Sequence, residues 1–230
     1  MQAVILAGGL ATRLGDLSKR SPKAMIDIHG RPFLEYQCEL LRCAGVDELV
    51  LCVGYLRDSL MAHFGDGRAF GLRIRYSIEE TPLGTGGALK NAEPLLDDMF
   101  YLLYGDAYLL ADLRAPLEFF KNQPFQALMM VYRNQDAYDR SNTAIKDNLV
   151  AAYSKINRTP DMVYIDYGAS IYRKEVLRRI PGGRPYPLEA VQEELARERQ
   201  LLAYEVKKRF YEIGNPVGLA EFREYIAASV

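Results

Sequence analysis

The sequence predicts an α/β fold in which a mostly parallel sheet is flanked by helices, and three observations lead to this prediction. Apolar runs of strand length alternate with segments of helical periodicity through the first half of the chain. The apolar run at 3–7 is unbroken, as expected for a strand that is buried on both faces. Two glycine clusters and Asp106 fall at or near the ends of predicted strands, where open parallel sheets bind their ligands.

The first half of the chain contains four predicted strands joined by helices. Pro32 suits the first turn of a helix that ends at Gly45, and Gly65 closes a second, shorter helix. A third helix follows the second glycine cluster within 83–96. The strands are predicted at 3–7, 48–54, 72–78 and 99–104, an order that implies right-handed crossovers.

The second half of the chain is less regular. Helices are predicted at 188–199 and from Pro216 onward. The 230 residues contain no repeat, linker or low-complexity tract, so we predict a single domain over 1–230. Strands or short extended pieces are predicted at 128–132, within 144–155 and 162–172, and at 201–205 and 209–213.

Composition narrows the class of protein. Hydrophobic residues make up 49% of the chain, enough for a sizeable core, and the net charge of -1 gives no general attraction to nucleic acid or anionic lipid. We find neither a signal peptide nor an apolar stretch of membrane-spanning length. The 3 cysteines lack C-x-x-C spacing, which disfavours a zinc site or disulfide framework and favours reduced thiols. We therefore expect a cytoplasmic protein that has neither nucleic acid nor membrane as a partner.

The first candidate site is the glycine-rich turn after the strand at 3–7. Gly8 and Gly9 let backbone N–H groups face an anion, while Arg13 offers a planar fork and Lys23 a point charge for phosphate oxygens. This set suits a triphosphate, although a strand-end loop with exposed basic residues is the alternative. The turn matches neither the dinucleotide fingerprint G-x-G-x-x-G nor a Walker A loop.

The second candidate site is the glycine cluster Gly84, Gly86 and Gly87. These glycines stand where a helix is predicted to begin, and a helix N-terminus presents free N–H groups and a positive dipole end. The nearby Glu80 can accept hydrogen bonds from a base or a ribose. The alternative is a flexible turn capped by Thr85, with Glu80 in solvent.

A third candidate is Asp106, which follows the predicted strand at 99–104. A carboxylate at a strand end can hold Mg²⁺, a hard cation that takes oxygen ligands and bridges phosphates. An aspartate at a strand end also commonly caps a turn. The residue pattern alone leaves both roles open.

The segment 3–25, AVILAGGLATRLGDLSKRSPKAM, resembles the signature of the sugar-nucleotide pyrophosphorylases, or nucleotidylyltransferases. That signature reads G-G-x-G-T-R-L followed by P-K, and Ala11 stands where the family usually has glycine. Later segments resemble the family's L-G-T-A/G-G-A, G-D and F-x-D-I-G-T-P motifs in the same order, with Glu212 in place of the last aspartate. The resemblance therefore covers nearly the whole chain.

The resemblance implies a Rossmann-like fold of the nucleotide-diphospho-sugar transferase type with a small β insert. It implies a nucleotide-binding half at 1–110 and a sugar-phosphate-binding half at 111–230. The nucleotide-binding residues that it implies are Leu6, Ala7, Gly8, Gly9, Ala11, Thr12, Glu80, Pro82, Leu83, Gly84, Thr85 and Gly86.

The same resemblance implies the residues that carry the chemistry. Arg13, Lys23 and Asp106 are then catalytic, and Asp106 and Glu212 hold Mg²⁺. Ser154 stands where the family's F-x-E-K stretch has glutamate. The sugar-phosphate-binding residues, from that stretch and from a match to N-x-G, are Lys155, Tyr167 and Gly168.

The implied reaction joins an NTP and a sugar 1-phosphate to give an NDP-sugar and pyrophosphate, as in capsule or lipopolysaccharide synthesis. The L-G-T-G-G-A-L string and the length most resemble D-glycero-α-D-manno-heptose 1-phosphate and mannose 1-phosphate guanylyltransferases, which implies GTP. A uridylyltransferase or cytidylyltransferase is one alternative. A non-catalytic sugar-nucleotide sensor is another, because Ala11, Ser154 and Glu212 depart from the family pattern. The sequence leaves the oligomeric state open, a homo-oligomer included.

Overall fold

A computed structural model describes residues 1–9 and 22–229, which are organised around a mixed β-sheet. The strands are β1 Gln2–Leu6, β2 Asp27–Ile28, β3 Arg31–Pro32, β4 Glu48–Val53, β5 Arg73–Ile78, β6 Met99–Tyr104, β7 Ala107–Leu109, β8 Ala127–Arg133, β9 Thr143–Lys146, β10 Leu149–Tyr153, β11 Tyr164–Arg173, β12 Leu201–Val206 and β13 Phe210–Glu212. The α-helices are α1 Phe33–Cys43, α2 Arg57–Phe64, α3 Gly84–Asn91, α4 Arg114–Lys121, α5 Leu188–Arg197 and α6 Pro216–Ser229. Short 3₁₀ segments lie at Lys23–Met25, Arg68–Phe70, Glu93–Leu95 and Lys174–Arg179.

The central sheet changes character along its width. Its strand order is β5-β4-β1-β6-β11-β8-β12-β10-β9 within the described residues. The four strands of the N-terminal half are parallel, whereas β11 runs antiparallel to both β6 and β8. The predicted α/β class is therefore confirmed, with the parallel pairing concentrated in the first half of the chain.

Strand β1 lies in the middle of the parallel part and is covered on both faces. Ile5 packs in a cluster with residues of α1 and α2, while its neighbour Val4 packs with residues of α3 and α5. Both side chains are fully buried. This arrangement explains the unbroken apolar run, because neither face of the strand meets water.

The predicted extended segment at 144–155 is a hairpin in the structure. Strands β9 and β10 pair antiparallel, and Asp147 and Asn148 between them have φ of 53° and 59°. Aspartate and asparagine tolerate the left-handed region that a tight hairpin turn requires. The structure also contains α4, a helix that the sequence pattern does not predict, and it ends the α-helix within 83–96 at Asn91.

Two small sheets lie beside the central one. Strands β2 and β3 form one, and β7 and β13 form the other with Glu212 opposite Ala107. Phe222 of α6 packs edge-on against Phe33 and Tyr36 of α1. Among the described residues, none of the helices has the length and apolar character needed to cross a bilayer.

Candidate active site

The carboxyl end of β1 opens into a cavity of about 460 Å³. Beyond the strand, Ala7 N–H donates to Cys52 O over 2.9 Å, which carries the chain alongside β4. Gly105 approaches so closely that a Cβ there would lie 2.6 Å from Leu6 O. The predicted nucleotide-binding residues that line this cavity are Leu6, Ala7, Gly8, Gly9, Pro82, Gly84 and Thr85. We call it the nucleotide-side cavity, by the role predicted for those residues.

Three predicted site residues, Ala11, Thr12 and Arg13, lie outside the described residues. Their proposed contacts with the triphosphate stay predictions.

A glutamate that the motif comparison did not select lines the nucleotide-side cavity. Glu79 is partly buried there, with Oε2 accepting the N–H of Leu83 over 3.0 Å and Oε1 beside Gly8. A Cβ on Gly8 would lie 2.7 Å from that oxygen, so the glycine makes room for the carboxylate. Burial raises the pKa of Glu79, and the Leu83 N–H partly opposes this shift.

The predicted nucleotide contact Glu80 points elsewhere. Its side chain is 78% exposed and pairs with Arg57 at 3.2 Å. The two neighbouring side chains have different partners: Glu79 accepts the Leu83 N–H in the cavity wall, whereas Glu80 pairs with Arg57. Glu79 is thus the member of the acidic pair that lines the cavity, and the contact of Glu80 with the nucleotide stays a prediction.

Within the second glycine cluster, Gly84 lines the cavity, whereas Gly86 and Gly87 use their N–H groups inside the protein. Gly86 and Gly87 donate their N–H groups to Tyr186 O over 2.9 and 3.1 Å, so these donors at the start of α3 are already occupied. A Cβ on Gly86 would lie 3.0 Å from the same oxygen. Gly86 is buried behind the cavity wall, and Leu83 uses its N–H on Glu79. Neither residue is among those lining the cavity.

Asp106 and Lys23 form an ion pair in the wall of the nucleotide-side cavity. Lys23 Nζ lies 2.8 Å from Asp106 Oδ2, and the two side chains are only 16% and 22% exposed. Lys23 comes from a 3₁₀ turn and Asp106 from the turn after β6. Two residues that are 83 positions apart in the chain thus form an ion pair.

Glu212 is brought beside Asp106 by the β7–β13 ribbon. Glu212 pairs with Ala107 across the ribbon, and Ile213 N–H donates to Asp106 O over 2.9 Å. A Cβ on Gly214 would lie 3.1 Å from Asp106 Oδ2 and would clash with Glu212 Oε1. The two carboxylates therefore converge on a space that exists because residue 214 has no side chain.

This space fits a hard divalent cation. Mg²⁺ is commonly held by one or two carboxylates, with substrate phosphates and water as the remaining ligands. Within 1–9 and 22–229, no group of three or more His, Cys, Asp or Glu side chains is placed to hold a metal by itself. The two carboxylates of Asp106 and Glu212 match the small number of protein ligands that Mg²⁺ usually has.

A second cavity, of about 400 Å³, adjoins the first and shares Thr85, Tyr104 and Asp106 with it. We call it the sugar-side cavity, by the role predicted for Lys155 and Gly168 in its wall. The other residues that line it include Asp139, Arg140, Asn142, Arg158, Asp166 and Glu212.

Lys155 is the predicted phosphate ligand of the sugar-side cavity. Its Nζ lies 2.8 Å from Glu189 Oε1. Partial burial disfavours the ammonium charge, but the hydrogen bond to Glu189 and the charges of Glu189, Asp166 and Asp106 outweigh burial and raise the pKa of Lys155. The neighbouring Ser154 accepts the N–H groups of Ile156 and Asn157, so its hydroxyl holds the turn after β10.

Asp166 is a buried carboxylate in the wall of the sugar-side cavity, whereas the resemblance implies only its neighbours Tyr167 and Gly168 as sugar-phosphate-binding residues. Its Oδ1 accepts the N–H of Gly168 over 3.0 Å, and its Oδ2 has no hydrogen-bond partner among the described residues. Burial raises the pKa of Asp166, and the charge of Lys155 opposes that shift. The available signal is that Asp166 is the one charged residue in the predicted strand segment at 162–172.

Tyr167 and Gly168 line the sugar-side cavity. Gly168 has φ of 88°, which accompanies a register shift in β11. The Tyr167 hydroxyl accepts the N–H groups of Leu110 and Ala111 over 3.0 and 3.1 Å and donates to Arg209 O over 3.1 Å. All three of these hydrogen bonds join the hydroxyl to backbone groups. Burial raises the pKa of Tyr167 to about 12.

Comparison with known proteins agrees with this geometry. The model of the family described as nucleotidyl transferase matches residues 2–145. A D-glycero-alpha-D-manno-heptose 1-phosphate guanylyltransferase from Campylobacter jejuni is 31% identical over 216 residues, covering 94% of this chain and 96% of the relative. A mannose-1-phosphate guanylyltransferase from Mycobacterium tuberculosis is 35% identical over 192 residues, covering 82% of this chain and 53% of the relative.

Solved structures give the same result. The crystal structure of HddC from Yersinia pseudotuberculosis matches with a TM-score of 0.84 and 27% identity, covering 98% of this chain and 99% of that one. HddC has also been solved in complex with GMP-PN. With the motifs, the two joined cavities and these likenesses in agreement, the chain belongs to the nucleotidyl transferase family.

Proposed function

We propose that this chain transfers a guanylyl group from GTP to a sugar 1-phosphate, D-glycero-α-D-manno-heptose 1-phosphate or mannose 1-phosphate. The broader class, sugar 1-phosphate nucleotidyltransferase, follows from its family and relatives. One observation carries the proposal: two cavities meet at Asp106, and a carboxylate pair and a lysine stand at their junction. The proposed nucleotide half at 1–110 and sugar half at 111–230 accord with this arrangement.

Glu79 supports guanine as the base. An ionised carboxylate only accepts hydrogen bonds, so it favours a base edge that presents adjacent donors. The Watson–Crick edge of guanine carries N1–H beside an amino group, whereas uracil places its N3–H between two carbonyl oxygens. Cytosine offers an amino group beside an acceptor nitrogen. A Glu79 carboxylate in the wall of the nucleotide-side cavity, with one oxygen on the Leu83 N–H and the other beside Gly8, supports guanine as the base.

The proposed reaction is an in-line displacement at the α-phosphorus of GTP. An oxygen of the sugar phosphate forms the new bond to that phosphorus, the bond to the β-phosphate bridging oxygen breaks, and pyrophosphate leaves with the bonding electrons. The attacking oxygen is already ionised, so no general base is needed. The protein then contributes positioning and charge neutralisation.

Each charged residue has a proposed task. Lys155 holds the sugar phosphate, and Lys23 neutralises the triphosphate from beside Asp106. Arg13, outside the described residues, is proposed to assist Lys23. Asp106 and Glu212 would hold Mg²⁺, which supplies charge neutralisation between phosphates when it is bound.

The sugar is proposed from the relatives. The Campylobacter relative, which matches over nearly its whole length, is named for the heptose phosphate, and the Mycobacterium relative is named for the mannose phosphate. The chain spans about half the length of the Mycobacterium relative. The heptose phosphate is therefore the first substrate to test.

A matrix of four NTPs against several sugar 1-phosphates, read by pyrophosphate release with Mg²⁺, tests the proposal. We expect the highest kcat/KM with GTP and the heptose or mannose phosphate. Higher activity with UTP or CTP would replace the guanylyl assignment by one of the alternatives. Binding of nucleotide without pyrophosphate release from any pair would favour a sensor.

A further inference from the structure

An ion pair of the sugar-side cavity involves a residue that the family motifs do not identify. Lys155 Nζ lies 2.8 Å from Glu189 Oε1, and Glu189 belongs to the first turn of α5. Lys155 Nζ also lies 5.4 Å from the centre of the Tyr104 ring, which lines both cavities. An ammonium has three N–H donors, so the bond to Glu189 leaves two for an incoming phosphate.

The start of α5 is fixed in turn to the wall of the nucleotide-side cavity. Leu188 N–H donates to Thr85 Oγ1 over 2.9 Å, one residue before Glu189. Tyr186 O accepts both Gly86 N–H and Gly87 N–H, and the glycines allow this backbone to pack directly against α3. The position of the Glu189 backbone is therefore set by the nucleotide side of the site.

We propose that Glu189 is a positioning residue that holds the Lys155 ammonium where it receives the sugar 1-phosphate, at a fixed place relative to the nucleotide-side wall. This inference rests on the proposed function. Glu189 acts through Lys155 and touches neither substrate. A lysine side chain is a flexible four-carbon stem, and a fixed acceptor restricts it before the phosphate arrives, which lowers the entropic cost of binding.

Steady-state kinetics of Glu189→Ala and Glu189→Gln test the proposal. We expect Glu189→Ala to raise KM for the sugar 1-phosphate about tenfold while KM for GTP changes less than about twofold. Glu189→Gln keeps an acceptor oxygen, so its KM should fall between those of the wild type and Glu189→Ala. The control is Glu193→Ala, because Glu193 is an exposed glutamate one turn further along α5.

A double-mutant cycle shows whether the effect passes through Lys155. We expect Lys155→Ala to raise the same KM, and Glu189→Ala to add no further increase in that background. Thermal unfolding of each variant verifies that the fold is retained. The proposal is overturned by an unchanged or lowered KM in Glu189→Ala, by an equal rise with and without Lys155, or by a parallel rise in KM for GTP. A wild-type chain that releases no pyrophosphate from any pair overturns the proposed function, and this inference with it.

Discussion

The two cavities of the site are lined by different kinds of groups. The nucleotide-side cavity is walled largely by backbone and small side chains, including Gly8, Gly9, Gly84 and Ala88, at the ends of parallel strands and the start of α3. The sugar-side cavity is walled by charged and amide side chains that come from antiparallel strands and the loops between them. Asp106 belongs to both.

This difference predicts that the two walls respond differently to substitution. A wall of backbone groups is specified by glycines at fixed positions and tolerates little substitution. A wall of side chains can be altered one residue at a time without moving the strands that carry them. We therefore expect mutations to affect the two cavities in separable ways, except at their junction.

The largest effect is expected at the junction itself. Asp106→Ala removes a carboxylate proposed to hold Mg²⁺ and leaves Lys23 without its partner, so kcat should fall about 1,000-fold or more. Pyrophosphate release at saturating substrates measures this loss, and Asp161→Ala, at an exposed aspartate, is the control. Near-wild-type turnover of a folded Asp106→Ala variant would contradict the proposed site.

A smaller effect, confined to the nucleotide side, is expected for Glu79→Gln. An amide pairs a donor with an acceptor, which fits uracil as well as guanine, so the ratio of kcat/KM for GTP over UTP should fall about 30-fold. Glu80→Gln, the same change one residue later on an exposed side chain, should alter the ratio less than about twofold. If Glu80→Gln has the larger effect, the placement of the acidic pair is wrong.

Gly214→Ala tests whether the space between the carboxylates serves a metal. The added methyl would contact Asp106 Oδ2 and clash with Glu212 Oε1. The Mg²⁺ concentration for half-maximal activity should therefore rise about tenfold. Gly182→Ala is the matched control, because a Cβ on Gly182 meets nothing within 4 Å. An unaltered Mg²⁺ requirement in Gly214→Ala would show that Asp106 and Glu212 do not hold the metal.

The smallest effect on activity is expected for Tyr167→Phe. Its hydroxyl bonds only to backbone among the described residues, so its loss should lower the free energy of unfolding by about 1–3 kcal/mol and leave KM for the sugar 1-phosphate unchanged. Chemical denaturation and steady-state kinetics measure the two quantities. A raised KM at unchanged stability would mean that Tyr167 contacts the sugar.

Sequence alone predicted the parts of the molecule that depend on local pattern. The strands β1 and β6 were found because a two-sided core demands an unbroken apolar run, and Asp106 because it follows such a run. Lys155 and Glu212 were proposed only through resemblance, since nothing local distinguishes them from surface residues.

The differences between the predictions and the structure share a cause, which is contact between segments that are separate along the chain. The start of α3 is predicted to present free N–H groups, but Tyr186 O, about a hundred residues later, accepts those of Gly86 and Gly87. Glu79 and Glu80 are the same residue type, and only the structure shows that Glu79 lines the cavity while Glu80 pairs with Arg57. Such choices depend on tertiary packing rather than on propensity.

The buried thiol of Cys52 lies next to the site but is protected from oxidants. Its sulfur donates to Ala88 O over 3.6 Å, directly behind the nucleotide-side cavity. Burial raises the pKa of this thiol, and the thiolate is the form that reacts with peroxides and alkylating reagents. The one exposed thiol, Cys43, ends α1 and is absent from the walls of both cavities. We therefore expect thiol oxidation or alkylation to leave the site unaffected, although the Cys52 sulfur lies directly behind the cavity wall.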